Sequence, residues 1–63
     1  MQHWKFEYAI RTRKGICLFN KDSFVADEAD PEELARSGVE EILRKFPELE
    51  SGELVRCRYF RVR

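Results

Sequence analysis

Near the amino end of the chain, Trp4, Phe6, Tyr8 and Ile10 alternate with Lys5, Glu7, Ala9 and Arg11. A period of two predicts a half-buried strand. Arg13-Lys14-Gly15 follows, with Gly at the third position, where a three-residue hairpin loop needs a left-handed backbone that Gly adopts without steric cost. The second strand starts at Ile16-Cys17-Leu18-Phe19, crosses the polar stretch Asn20 to Ser23 and resumes at Phe24-Val25-Ala26. Loop length decides its facing. A three-residue loop puts Ile16 and Leu18 on the face of Tyr8 and Ile10, and a two-residue loop puts Cys17 and Phe19 there. A bulge within Asn20 to Ser23 is expected to keep those polar side chains out of the core and bring Phe24 in against Trp4.

Asp30-Pro31-Glu32-Glu33 opens a helix. Asp30 can accept from first-turn amides, Pro31 sits where a missing donor costs nothing, and Glu33 can close a capping box. Leu34, Ala35, Val39, Ile42, Leu43 and Phe46 then form one apolar stripe. The pairs Glu32/Arg36, Glu40/Arg44 and Glu41/Lys45 occupy the opposite face. Pro47 disfavours helical geometry at Phe46 and ends the helix there. After the Ser51-Gly52 turn, Glu53 to Val62 reads as a last strand, with Val55, Cys57 and Tyr59 inward and Arg56 and Arg58 outward.

The order β-β-α-β defines an α+β fold in a single domain over residues 1–63. Placing the aromatic first strand centrally gives a three-stranded antiparallel sheet of order 2-1-3, with one helix packed on one face and the other face open. Trp4, Phe6, Tyr8, Phe46 and Tyr59 are the expected aromatic core. Cys17 and Cys57 then lie on opposite edges, about 9.5 Å apart, too far for a disulfide.

Composition narrows the class of protein. With 43% apolar and 38% charged residues, the chain is globular and carries no run long enough to span a membrane. Its first residues lack the features of a secretory signal, and two cysteines are fewer than disulfide-dependent secreted domains carry, so the expected setting is the cytosol with reduced thiols.

Charge adds more, because the formal net of zero conceals three blocks. Residues 1–21 hold five bases and one acid, 22–53 hold eleven acids and three bases, and 54–63 hold four arginines and no acid. Such segregation implies binding surfaces on the sheet and the helix. Catalysis finds less support. His3 lies beside a terminus and is expected to be solvated, and neither cysteine has a base or helix N-terminus in view to activate it. The acids at Asp22, Asp27, Glu28, Asp30, Glu32 and Glu33 include no Gly of the kind a calcium loop needs. The chain is therefore expected to be non-enzymatic and to need no cofactor or metal.

The favoured expectation is docking on a host protein or nucleoprotein complex. The acids Asp27, Glu28, Asp30, Glu33, Glu40 and Glu41 would meet a basic surface, with Arg56 and Arg58 as a second contact. Small phage or mobile-element inhibitors of host complexes, anti-CRISPR proteins among them, are of this size and work this way. One alternative is nucleic-acid binding on the open sheet face through Lys5, Arg11, Phe19, Arg56 and Arg58, although the glycine-aromatic signature of the RNA-recognition motif is missing. Another is a homodimeric assembly subunit that pairs through the edge of its third strand.

Overall fold

The alternating segment forms β1 (Gln2–Thr12), the central strand, and a computed structural model describes all residues from Met1 to Arg63. β2 (Gly15–Val25) and β3 (Glu53–Val62) flank it, each antiparallel to β1, in the order β2-β1-β3. α1 (Pro31–Lys45) packs on one face of the sheet. No helix is long and apolar enough to cross a membrane.

Turn geometry sets the facing of β2. Thr12 opposes Gly15, leaving Arg13 and Lys14 between them, and Gly15 has φ of 128°, a conformation that side chains disfavour. The Thr12 hydroxyl donates to the Gly15 carbonyl at 2.9 Å and accepts from the Lys14 amide at 3.2 Å. This register places Phe19 opposite Tyr8 and Cys17 opposite Ile10, on the helix side. Ile16 and Leu18 therefore face the open side.

The expected bulge in β2 is absent. Asn20, Lys21, Asp22 and Ser23 pair in unbroken register with Glu7, Phe6, Lys5 and Trp4. Phe24 consequently opposes His3 on the open face and does not meet Trp4; its ring stacks on the imidazole at 4.6 Å. Lys21, carried to the helix side, is accommodated because its long stem lets Nζ reach Glu41 Oε2 at 2.9 Å. The irregularity lies in β3 instead. Ala9 opposes Arg56 and Ile10 opposes Leu54, so Val55 is the extra residue and Leu54 takes the inward place expected of Val55.

Asp30 caps α1 by accepting from the Glu32 amide at 3.0 Å, and Pro31 fills the first helical position. Glu33 does not complete a capping box, since Asp30 takes its bond one residue earlier than that motif requires. Phe46 caps the end of the helix, and its amide donates to the Ile42 carbonyl. A single 3-10 turn, Pro47–Leu49, then inserts the buried Leu49 before the chain enters β3.

The core consists of Phe6, Tyr8 and Ala35, each 2% exposed, with Trp4, Phe19, Leu34, Val39 and Ile42 around it. At its centre the Tyr8 hydroxyl donates to the Ala35 carbonyl at 3.0 Å. The helix can come this close because residue 38 is glycine. A Cβ there would overlap the Tyr8 hydroxyl and stand 2.9 Å from its Cζ. Burial, with lesser contributions from Cys57 and Glu41, pushes the Tyr8 phenol up to about 12. Phe46 and Tyr59, expected in the core, are 42% and 37% exposed. Phe46 leans on Phe19 at 5.7 Å, and Tyr59 sits 6.1 Å from Phe6, so both cover the edges of the core.

Two measurements probe this contact. In an ordinary helix Gly→Ala gains up to about 1 kcal/mol. Gly38→Ala should instead cost about 1–3 kcal/mol in chemical denaturation, the range for overpacking a tight contact. A tyrosine in the unfolded chain ionises near 10.0 and folded Tyr8 near about 12. Between these values only the unfolded state loses the proton. The Tyr8 contribution is thus full below pH 10 and is lost as pH rises to about 12. Denaturation midpoints across that window should fall more steeply for the wild type than for Tyr8→Phe; equal slopes would contradict this.

Candidate binding surfaces

The open sheet face is assembled by strand register alone. β1 supplies His3, Lys5, Glu7, Ala9 and Arg11, which oppose Phe24, Asp22, Asn20, Leu18 and Ile16 of β2. Across β3, Lys5, Glu7 and Ala9 oppose Phe60, Arg58 and Arg56. Four large apolar side chains are left in solvent on this face: Leu18 at 74% exposure, Phe24 at 67%, Ile16 at 61% and Phe60 at 41%. No element of the chain covers them.

The cations of this face are partly neutralised. Arg11 bonds Glu53 at 2.9 Å, and Arg58 lies 3.8 Å from Glu7. Lys5 and Arg56 take part in no ion pair. Lys5, Arg11, Arg56 and Arg58 do share the face, as the nucleic-acid alternative requires, but Phe19 does not. It points to the helix side, half-buried against Phe46, because the turn gives β2 the other facing. His3 is not a frayed ring: Nε2 lies 3.0 Å from Asp22 Oδ1, and Phe24 stacks on the imidazole.

The acids expected to dock are spread over the helix and its approach, and several are engaged within the chain. Asp30 is the helix cap, and Asp27 lies 3.6 Å from the N-terminal ammonium. Glu41 is held by Lys21 at 2.9 Å and approached by Lys45 at 3.9 Å. The Lys21 hydrogen bond and its charge pull the Glu41 carboxyl below its ordinary value. Glu28, Glu33 and Glu40 are exposed and form no ion pair. The separation of charge between sheet and helix is weaker than the sequence blocks imply, because strand pairing brings Glu7, Asp22 and Glu53 onto the basic face.

Two grooves flank α1. The one toward β2, about 260 Å³, is lined by Phe19, Ile42 and Phe46 with the Lys21–Glu41 pair at its rim. The one toward β3, about 360 Å³, is lined by Val39, Leu54, Cys57 and Tyr59 beneath Glu32, Arg36 and Glu40. Partial burial there raises the Cys57 thiol above its usual value, which disfavours the nucleophilic thiolate. Both cysteines are free, and no three His, Cys, Asp or Glu side chains converge in a way that would hold a metal ion.

The apolar half of the open face is what sequence reasoning missed. Ile16 and Leu18 look like core residues until the turn is fixed, and Phe24 does so until β2 is seen to run without a bulge. No protein-family model, curated protein or solved structure matches the chain.

Proposed function

We propose that this protein acts by binding a protein partner through its open sheet face. The observation that carries the proposal is the exposure of Ile16, Leu18, Phe24 and Phe60 together on the uncovered side. They form two apolar spots on one face, Ile16 with Leu18 at one end and Phe24 with Phe60 flanking His3 and Lys5 at the other, and exposed apolar surface rimmed by polar residues marks protein association. Lys5 and Arg56, free of intrachain partners, favour a partner whose apolar patch has an acidic rim. The helix acids Glu28, Glu33 and Glu40 remain available for a second contact, while Asp27, Asp30 and Glu41 already have work within the fold. Steric blocking of a host complex, the mode of small phage inhibitors such as anti-CRISPR proteins, is the biological form we favour.

A nucleic-acid reading draws on Lys5, Arg56 and Arg58, with Phe60 in the stacking place first given to Phe19. Pull-down from the native host separates the readings. Leu18→Asp and Phe24→Asp should abolish capture of a specific protein while leaving thermal stability nearly unchanged, and Glu33→Lys with Glu40→Lys should retain it. Loss only with the helix variants would move the site to α1. Low-salt binding to single-stranded RNA or DNA that weakens steeply with salt and is lost in Lys5→Ala/Arg56→Ala would favour nucleic acid.

A further inference from the structure

β3 is an edge strand with nothing along its outer side. Beyond the bonds inside helices and strands, six backbone hydrogen bonds exist, and none involves residues 53–62. No side chain bonds the β3 backbone either. Every residue of β3 except Val62 is exposed, Leu54 at 43%, Tyr59 at 37% and Phe60 at 41% among them. Exposed backbone of this kind invites another strand unless charges or bulges shield it, and the bulge at Val55 leaves Arg56 to Val62 as the regular stretch open to pairing. The domain also has little core to spare, since only seven of its 63 residues are buried. Oligomerisation is one of the ways a chain of this size makes up the deficit.

The sequence of β3 selects the occupant and the register. When a second copy pairs antiparallel about a two-fold axis through one residue, that residue opposes itself and its neighbours oppose each other in mirror order. Centring on Arg56 or Arg58 sets that arginine against itself, and centring on Cys57 sets Arg56 against Arg58. Like charges directly opposite are unfavourable. Centring between two residues turns the faces over and puts the second helix on the other side of the sheet. Centring on Tyr59 avoids both faults. Tyr59 then meets Tyr59 of the copy, Arg58 meets Phe60 and Arg56 meets Val62. The same pairing sets Cys57 against Arg61. Centring on Phe60 also keeps arginines apart but pairs only Arg58 to Val62 within the bounds of β3, against Arg56 to Val62 for Tyr59, and so shortens the ladder.

We propose that a second copy of this chain pairs along β3, centred on Tyr59, making a continuous six-stranded sheet with both helices on one side. Arg58 lies across from an aromatic ring on the open face, and the two tyrosines form an aromatic pair on the helix side. The α1/β3 grooves of the two copies join over the new seam. Their rims carry both signs, Glu32 and Glu40 with Arg36, so antiparallel helices offer opposite charges to each other. The proposal does not rest on the open-face reading, although Arg56 and Phe60 border both surfaces.

Sedimentation equilibrium of the wild type should give twice 7.6 kDa, with dissociation on dilution. Tyr59→Arg, which places like charges on the axis, should be monomeric at concentrations where circular dichroism shows it folded. In a Cys17→Ser/Cys57→Ser background, single cysteines introduced by Arg58→Cys, Tyr59→Cys and Phe60→Cys report the register under diamide. Opposed residues lie about 4.5–5.5 Å apart at Cα, within disulfide range. Fastest crosslinking at position 59 supports the proposal. A wild type that stays monomeric at every concentration, or crosslinking fastest at 58 or 60, overturns it.

Discussion

The contact between Tyr8 and the backbone of α1 sets the spacing between helix and sheet, and the rest of the molecule is arranged around that spacing. A tyrosine at the centre of the middle strand sends its hydroxyl to the Ala35 carbonyl, and Gly38 leaves the space in which it sits. The interaction is polar and buried, so its geometry is narrow: an unpartnered hydroxyl would be costly at this depth, and a side chain at position 38 would exclude it. Phe6 and Ala35 share the buried cluster with Tyr8. The helix is thereby seated over β1, leaving grooves along β2 and β3.

The candidate surfaces follow from the thinness of this arrangement. The molecule measures 38 × 19 × 14 Å along its principal axes, with one helix to cover three strands. One sheet face and both edges stay in solvent. On the open face the exposed aliphatic and aromatic groups lie beside partly paired cations. The edge of β3, where Cys57 and the Tyr59-Phe60 pair separate Arg56, Arg58 and Arg61, is the one proposed above to take a copy of itself. Both surfaces come from one small core that cannot enclose its own chain.

Much of the architecture is legible in the residues. Alternation from Trp4 to Ile10 marks the central strand, Asp30-Pro31 marks the helix start, and strand order follows from connection rules once the aromatic strand is placed in the middle. The facing of β2 is not legible, because it turns on whether Gly15 belongs to the loop or to the ladder, and one residue of difference moves Phe19 into the groove and Leu18 into solvent. The polar run Asn20 to Ser23 suggests a bulge only if Lys21 has no partner, and its partner Glu41 lies 20 residues away on another element. Gly38 looks like a weak point in a helix until Tyr8 is seen beneath it. Local pattern thus locates the elements, while the candidate surfaces depend on register and on contacts distant in sequence.

A double-mutant cycle between Tyr8→Phe and Gly38→Ala, followed by chemical denaturation, tests the seating of the helix most directly. If the hydroxyl and the missing Cβ share one space, Gly38→Ala should cost less in the Tyr8→Phe background than in the wild type, with a coupling on the order of 1 kcal/mol. Purely additive costs, or a Gly38→Ala variant more stable than the wild type, would contradict the account.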